Sequence, residues 1–191
     1  MNTMKAGEAL QKLIQGNKVY VDARKNHADI SQERREDTAN RLQDPYAIIM
    51  TCSDSRVPCE HIFSAGIGEL FVIRTGGNVV GDFETGSIDF CLTSFGTKLI
   101  VMMGHTGCGA VSAAMGDGQF EGGIGSIVDE IRPGIKHACD VADAENLNIE
   151  NSYKRILESK IVQDLLASGE IEVVKAKYNM GTGVVDFIPT K

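Results

Sequence analysis

The sequence contains no tryptophan, and aromatic residues make up only 6% of its 191 residues. Positive charge is scarce as well, since 19 Lys and Arg face 26 Asp and Glu, which gives a net charge of −7. Proteins that bind the phosphate backbone carry basic patches, often with aromatic residues between them. The composition therefore argues against a nucleic-acid-binding surface, and we expect no nucleic-acid partner.

Long hydrophobic runs are also missing. The apolar stretches, such as residues 99–103, are far shorter than the ~20 residues that a membrane-spanning helix needs. Residues 1–8 lack a basic segment followed by an apolar one, so the sequence predicts no signal peptide. We therefore expect a cytoplasmic protein that does not associate with a membrane.

The cysteines do not form a disulfide pattern. There are five of them, an odd number without the regular spacing of a disulfide framework. In a reducing compartment, metal binding or burial is the better expectation for such residues. We interpret Cys59, Cys91 and Cys139 as small buried hydrophobic residues, whereas Cys52 and Cys108 belong to motifs discussed below.

The rest of the composition is ordinary. A hydrophobic content of 42% and a charged content of 24% are typical of globular proteins. A chain of this length is expected to form one domain, residues 1–191, that is large enough to bury a core. We expect N-terminal helices over about residues 1–44 and an α/β core over about residues 45–191.

Short, continuous apolar runs predict the strands of this core, at residues 46–50, 70–73 and 99–103. Because these runs do not alternate with polar residues, they indicate a mostly parallel sheet that is buried on both faces. A helix predicted over residues 84–95 would join the last two strands as a βαβ unit. Further strands are predicted at residues 171–178 and 184–188, the last one at an antiparallel edge. The expected fold class is therefore α/β, with a mostly parallel central sheet flanked by helices.

Different sequence signals predict the helices that flank the sheet. Ser31 is predicted to cap a charged helix that runs toward Arg41. A helix over residues 124–139 contains Pro133, which we expect to perturb it. An amphipathic stripe over residues 153–166 predicts one further helix.

Three side chains of the kind that zinc prefers lie at the predicted strand ends. Cys52 comes just after one central strand and His105 just after another, with Cys108 three residues further on. In open α/β sheets, functional sites lie at the carboxyl ends of the strands. Structural zinc sites commonly use four Cys or His ligands, whereas catalytic sites use three and leave one position open. The pattern therefore favours a catalytic zinc site.

A carboxylate and an arginine follow the first cysteine. Asp54 and Arg56 are two residues apart, so on an extended loop their side chains would point the same way. A bidentate pair with the guanidinium would keep the carboxylate ionised and fixed. If that pair broke, Asp54 could instead occupy the fourth metal position.

Longer segments accompany these residues. The chain reads Cys-Ser-Asp-Ser-Arg-Val over residues 52–57, Gly-Glu-Leu-Phe-Val-Ile-Arg over residues 68–74, and Gly-His-Thr-Gly-Cys-Gly over residues 104–109, with Gly77-Asn78 between them. Taken alone, neither the Cys-x-Asp-x-Arg motif of residues 52–56 nor the His-x-x-Cys motif of residues 105–108 is specific for one family. Together they make the chain similar to the β-class carbonic anhydrases, and this resemblance covers most of the sequence.

The resemblance implies an activity and an assembly. It implies that one Zn2+ per chain is bound and that zinc-bound hydroxide attacks CO2, giving bicarbonate and a proton in a reversible lyase reaction. It also implies a homodimer or a dimer of dimers with active sites at the interface. The site residues implied by this resemblance are Cys52, His105 and Cys108 as zinc ligands, Asp54 and Arg56 as the dyad, Gln43 and the Gly109 amide as substrate-binding groups, and Phe71 in the CO2 pocket.

One departure from the family concerns regulation. Some bacterial members bind bicarbonate in a second pocket that uses a tryptophan three residues before the first zinc cysteine. Here that residue is Ile49, although Arg74 matches an arginine of the same pocket. The sequence therefore predicts that this regulatory pocket is poorly formed.

Other functions remain open from the sequence alone. Related proteins hydrolyse CS2 or COS with the same zinc chemistry, and a non-catalytic thiol-based zinc or redox sensor is a second alternative. An intact Asp54–Arg56 pair argues against the sensor, because a sensor has no nucleophile to position. Proton shuttles could be provided by His27, His61 or His137, although surface histidines without such a role are more common.

Overall fold

The computed structural model describes residues 2–22 and 27–188, which contain both helices and strands. Within these residues the chain forms eight α-helices: α1 (Ala6–Asp22), α2 (Gln32–Ala39), α3 (Cys59–Ile62), α4 (Asp82–Phe95), α5 (Gly109–Met115), α6 (Gly122–Ile135), α7 (Val141–Leu157) and α8 (Lys160–Ala167). The same residues form five strands: β1 (Ala47–Cys52), β2 (Leu70–Thr75), β3 (Leu99–His105), β4 (Glu172–Tyr178) and β5 (Val185–Ile188). A short 3₁₀ turn, Gly76–Asn78, follows β2.

The five strands form one sheet in the order β2-β1-β3-β4-β5. The first three pairings are parallel, and β5 runs antiparallel to β4 at one edge. The predicted fold class, a mostly parallel sheet with a C-terminal antiparallel edge strand, is therefore confirmed. Every residue of β1 and β3 is buried, as their continuous apolar sequences predict.

Helices cover both faces of the sheet. On one face, Leu13 of α1 packs in a cluster with Phe63 and Val101. On the other face, α4, α7 and α8 contribute Ile88, Ile149 and Val162 to a second cluster. A third cluster, which includes Cys52 and Cys108, lies where α5 and α6 meet the end of the sheet. No helix within the described residues combines the length and hydropathy needed to cross a membrane.

The approach of α7 to the sheet depends on a glycine in β3. A Cβ atom at Gly104 would lie 2.5 Å from Cγ1 of Ile149, well inside van der Waals contact. The absence of a side chain therefore lets α7 pack directly over the residue that precedes His105.

Several boundaries differ from the sequence predictions. Both central strands continue to Cys52 and His105, so these residues end the strands rather than follow them. The stripe over residues 153–166 is not one helix, because α7 ends at Leu157 and Ser159 caps α8 by accepting a hydrogen bond from the Val162 amide. The stripe continues across the break since both helices turn their apolar residues toward the same cluster.

Two helix predictions rested on a capping residue or on a proline, and the structure agrees with them in part. Ser31 caps α2, as predicted, by accepting a hydrogen bond from the Arg34 amide. Helix α6 contains Pro133 but ends at Ile135, so the predicted extension toward residue 139 is wrong. A proline within a helix removes one hydrogen bond, and here the helix stops two residues later.

Candidate metal centre

Three metal-binding side chains meet at the carboxyl edge of the sheet. Cys52 ends β1, His105 ends the neighbouring parallel strand β3, and Cys108 precedes α5. One ligand atom from each of the three lies within 4.8 Å of the others, and all three residues are buried. The structure therefore brings together the three residues that the sequence selected.

His105 is oriented as a ligand. Its Nδ1 atom lies 3.0 Å from the carbonyl oxygen of Thr106, which assigns the proton to Nδ1. The other nitrogen, Nε2, is buried and has no hydrogen-bond partner in the described part of the chain. A buried polar atom without a partner is unfavourable, and a bound cation would remove that penalty. Burial opposes protonation of the ring, but the neighbouring Cys52 thiolate and the Thr106 carbonyl raise the pKa of His105.

The two thiols behave as one acid. A hydrogen bond from Cys108 stabilises the Cys52 thiolate and, against the effect of burial, lowers the pKa of Cys52 to about 4. The same hydrogen bond, together with burial, raises the pKa of Cys108, because its proton is shared with the neighbouring thiolate. A cation bound by both sulfurs would displace a shared proton, so metal binding and ionisation of the thiols are linked.

Asp54 is fixed by Arg56 through three hydrogen bonds. The guanidinium donates from Nε to Oδ1 at 2.9 Å and from Nη2 to Oδ2 at 2.7 Å, and the Arg56 amide donates to Oδ1 at 2.9 Å. These bonds hold the pKa of Asp54 well below its usual range. The amide contact shows that residues 54–56 form a turn, so the predicted extended loop is wrong. The predicted ion pair is present nevertheless, because the turn itself brings the two side chains together.

Arg74 supports the backbone beneath this pair. Its guanidinium donates to the carbonyl oxygens of Cys52 at 3.1 Å and Asp54 at 2.5 Å. On the opposite side, Arg56 donates to the carbonyl of Gly107 at 3.3 Å. The two ligand-bearing loops are thus tied to each other. From the sequence, Arg74 was related only to a regulatory pocket. Its supporting role could not be predicted, because a hydrogen bond to a backbone carbonyl requires no particular residue type in its partner.

Glu145 was missed by sequence reasoning. It lies on the buried face of α7, four residues before Ile149, where an apolar residue is expected. Its Oε1 atom accepts hydrogen bonds from the amides of Gly107 at 2.6 Å and Cys108 at 3.4 Å. A charged residue on the apolar side of an amphipathic helix was the available signal.

Two predicted site residues, Gln43 and Phe71, are not brought to the carboxyl ends of the strands within one chain. Gln43 is exposed and precedes the amino end of β1, whereas Cys52 lies at the carboxyl end of the same strand. Phe71 is the second residue of β2 and packs against Phe95, with ring centroids 6.4 Å apart. Gly109 does lie beside the cluster, directly after Cys108 at the start of α5.

The other cysteines and histidines lie outside the cluster. Cys59 and Cys91 are buried, as predicted, and burial raises their pKa values to about 12 and about 11. Cys139 is exposed, so its interpretation as a buried residue is wrong. It follows the end of α6, outside the packed core. The exposed histidines are His27, His61 and His137.

Comparison with known proteins gives consistent matches. The family model described as carbonic anhydrase matches residues 47–185. Carbonic anhydrase 2 of Mycobacterium tuberculosis is 32% identical over 185 residues, covering 92% of this chain and 89% of its own length. The carbonic anhydrase of Mycolicibacterium smegmatis is 32% identical over 189 residues, with coverages of 93% and 91%.

Solved structures agree with these sequence matches. The Coccomyxa β-carbonic anhydrase, solved in complex with acetazolamide, is 26% identical with a TM-score of 0.73, covering 93% of this chain and 85% of that one. A tetrameric β-carbonic anhydrase from Sordaria macrospora is 22% identical with a TM-score of 0.75, covering 95% and 97%. Because its identity is only 22%, the Sordaria macrospora structure supports the fold and not the function.

Proposed function

The chain belongs to the β class of the carbonic anhydrase family, and from that premise we propose that it hydrates CO2 reversibly to bicarbonate and a proton with one bound Zn2+. The observation that carries the proposal is the cluster of Cys52, His105 and Cys108, whose ligand atoms lie within 4.8 Å of one another. Two sulfur donors and one imidazole favour zinc over the hard cations Mg2+ and Ca2+.

The donor set fits a metal ion on its own chemistry. His105 Nε2 is buried and without a partner, and its tautomer leaves the lone pair free. The hydrogen bond between the two thiols lowers the pKa of Cys52 and raises that of Cys108. A divalent cation would complete the ionisation of Cys108 and satisfy the imidazole nitrogen. Zinc supplies the nucleophile for hydration because it lowers the pKa of a coordinated water molecule toward neutrality.

Asp54 and Arg56 prepare the site for this reaction. The ion pair keeps Asp54 ionised, so the carboxylate can only accept hydrogen bonds. If a water molecule were held at the cluster, it could donate a hydrogen bond to Asp54, which would direct its lone pair away from the carboxylate. The three hydrogen bonds from Arg56 also hold Asp54 back from the metal position. We propose that Gly109 adds a backbone amide that orients a substrate oxygen.

Gln43 and Phe71 can act only if a second copy of the chain brings them to the site. Strand β2 is an edge strand whose residues are only partly buried in one chain. Two copies related by a two-fold axis would pair their β2 strands antiparallel, which covers both edges. Antiparallel pairing sets the amino end of one β2 beside the carboxyl end of the other. Since Thr75 is paired with Cys52, that carboxyl end lies next to the metal centre.

We therefore propose a homodimer, alone or within a dimer of dimers, in which each metal centre receives Gln43 and Phe71 from the other chain. We also propose that the protein works in a reducing compartment such as the cytoplasm. Oxidation of Cys52 and Cys108 to a disulfide would remove two of the three ligands, and a reducing compartment prevents it.

Metal removal tests the proposed function directly. We expect the purified protein to contain about one zinc ion per chain and to hydrate CO2, with CS2 as the alternative substrate in parallel assays. Dialysis against a zinc chelator should abolish hydration, and added Zn2+ should restore it. Elemental analysis and stopped-flow assays on the same sample make the measurement. Full CO2 hydration by the metal-free protein would contradict the proposal, as would turnover of CS2 alone.

Mixed dimers test the sharing of residues between chains. Cys52→Ser and Gln43→Ala variants each impair both sites of their own homodimers. In a mixed dimer, one site combines the intact ligands of the second chain with Gln43 of the first, while the other site carries both defects. We expect co-expressed, separately tagged chains to recover about half of the wild-type activity per dimer, because one site in two is complete.

A matched control uses a residue that acts within its own chain. Arg56 contacts Asp54 of the same chain, so a mixed dimer of Cys52→Ser with Arg56→Ala restores no complete site. Recovery in both mixtures, or in neither, would refute the proposed exchange of Gln43.

A further inference from the structure

Glu145 is a buried carboxylate that packing alone does not explain. Its side chain is only 4% exposed, and its Oε2 atom pairs with Nζ of Lys177 on β4 at 2.9 Å. Replacing a buried ion pair by well-packed apolar residues is often neutral or stabilising, so such a pair is weak evidence for a role in stability. The position of its second oxygen suggests a different role.

That second oxygen, Oε1, faces the loop between two ligands. It accepts hydrogen bonds from the amides of Gly107 at 2.6 Å and Cys108 at 3.4 Å. Gly107 has a φ of +68°, a conformation that glycine adopts without strain. We call residues 105–108 the ligand turn. Glu145 thus supplies a charged acceptor for two successive amides of this turn, and hydrogen bonds to a charged group are stronger than neutral ones.

The backbone of the ligand turn is held by hydrogen bonds to three different parts of the chain. The Thr106 amide donates to the carbonyl of Tyr178 at 3.0 Å, which fixes the end next to His105. The carbonyl of Gly107 accepts from Arg56, the residue that holds Asp54. The amide of the same Gly107–Cys108 peptide group donates to Glu145. The Gly107 peptide is therefore held between Glu145 and Arg56.

We propose that Glu145 is a positioning residue that places Cys108 for metal binding. The inference rests on the proposed function, since it assigns the metal to Cys52, His105 and Cys108. Without an acceptor at Glu145, the amides of Gly107 and Cys108 lose their partner inside the protein, and the turn shifts to satisfy them. The Cys108 sulfur moves with the backbone. Lys177 neutralises the carboxylate and ties it to β4.

Two double variants separate positioning from the effect of the ion pair. Glu145→Gln with Lys177→Met removes both charges but keeps a carbonyl oxygen for the turn. Glu145→Leu with Lys177→Met removes the same charges and the acceptor as well. The readouts are the zinc Kd from competition with a chelating dye and the visible absorption bands of the Co2+-loaded protein, which report ligand geometry. Circular dichroism checks that both variants fold.

We expect the Gln/Met variant to keep a zinc Kd and Co2+ bands close to those of the wild type. The Leu/Met variant should bind zinc ~10–100-fold more weakly, the range for partners that orient metal ligands, and its Co2+ bands should shift. Equal behaviour of the two variants would overturn the inference. If the Leu variant fails to fold, the Gln/Met variant alone decides, since a loss of about tenfold or more in its zinc affinity would overturn it.

The wild-type protein measured in parallel keeps the two proposals apart. If wild-type protein binds neither Zn2+ nor Co2+, the proposed metal centre itself fails. If the wild type binds both ions and the Leu/Met variant binds them equally well, the metal centre stands and only the role of Glu145 is refuted.

Discussion

Replacing Cys52 by serine is expected to abolish CO2 hydration and to remove most of the bound zinc. Cys52 is the proposed ligand from β1, and a hydrogen bond from the neighbouring Cys108 lowers its pKa. A serine hydroxyl does not ionise near neutral pH and is a poor zinc ligand, so two donors would remain. We expect a loss of at least ~1000-fold in kcat/KM, because without the metal no nucleophile forms at neutral pH. Elemental analysis and stopped-flow hydration measure both effects.

Cys139→Ser is the matched control for that variant. Cys139 is a free, exposed cysteine outside the cluster, so the same chemical change should leave zinc content and turnover unchanged. Circular dichroism on both variants shows whether a loss reflects unfolding. A folded Cys52→Ser protein with full zinc content and full turnover would disprove the assigned metal centre.

Replacing Arg56 by alanine is expected to keep the zinc and to lower turnover. The substitution removes the bidentate ion pair and the contact with the Gly107 carbonyl, but no ligand atom. Asp54 then loses its fixed orientation and is free to turn toward the metal. We expect kcat to fall ~10–100-fold, the size typical of groups that orient a metal site from outside its ligand shell.

The comparison for this variant is Lys160→Ala. Lys160 also pairs with an aspartate, Asp164, but on the exposed surface of α8, outside the cluster. Exposed ion pairs contribute little, so turnover should not change. Zinc content is measured in both proteins. Turnover near the wild-type level in Arg56→Ala, with zinc retained, would rule out a positioning role for the Asp54–Arg56 pair.

The sequence predicted the core of the fold and the meeting of Cys52, His105 and Cys108 because both follow local rules. Continuous apolar runs identified β1 and β3, and a buried parallel sheet brings their carboxyl ends to one edge. Cys52 and His105 follow from that placement, and Cys108 is only three residues from His105. Strand ends and ligand types could therefore be combined without knowing any long-range contact.

The supports of the site could not be predicted in this way. Glu145 is 38 positions from Gly107 in sequence, and its partners are backbone amides, which any residue except proline carries. Arg74 likewise acts on carbonyl oxygens. Gln43 was identified by resemblance, but a single chain places it before the amino end of β1, away from Cys52. The break at Ser159 was hidden because α7 and α8 turn the same face toward the core.

The narrow gap between β3 and α7 also limits how this chain can change over generations. A methyl group at Gly104 would overlap the Ile149 side chain, whose Cγ1 and Cδ1 atoms lie 2.5 Å and 2.7 Å from the position of that carbon. A smaller residue at position 149 would make room for that methyl group. The two positions are therefore coupled, and the strand that carries His105 accepts a side chain at 104 at lower cost once the helix opposite carries a smaller one.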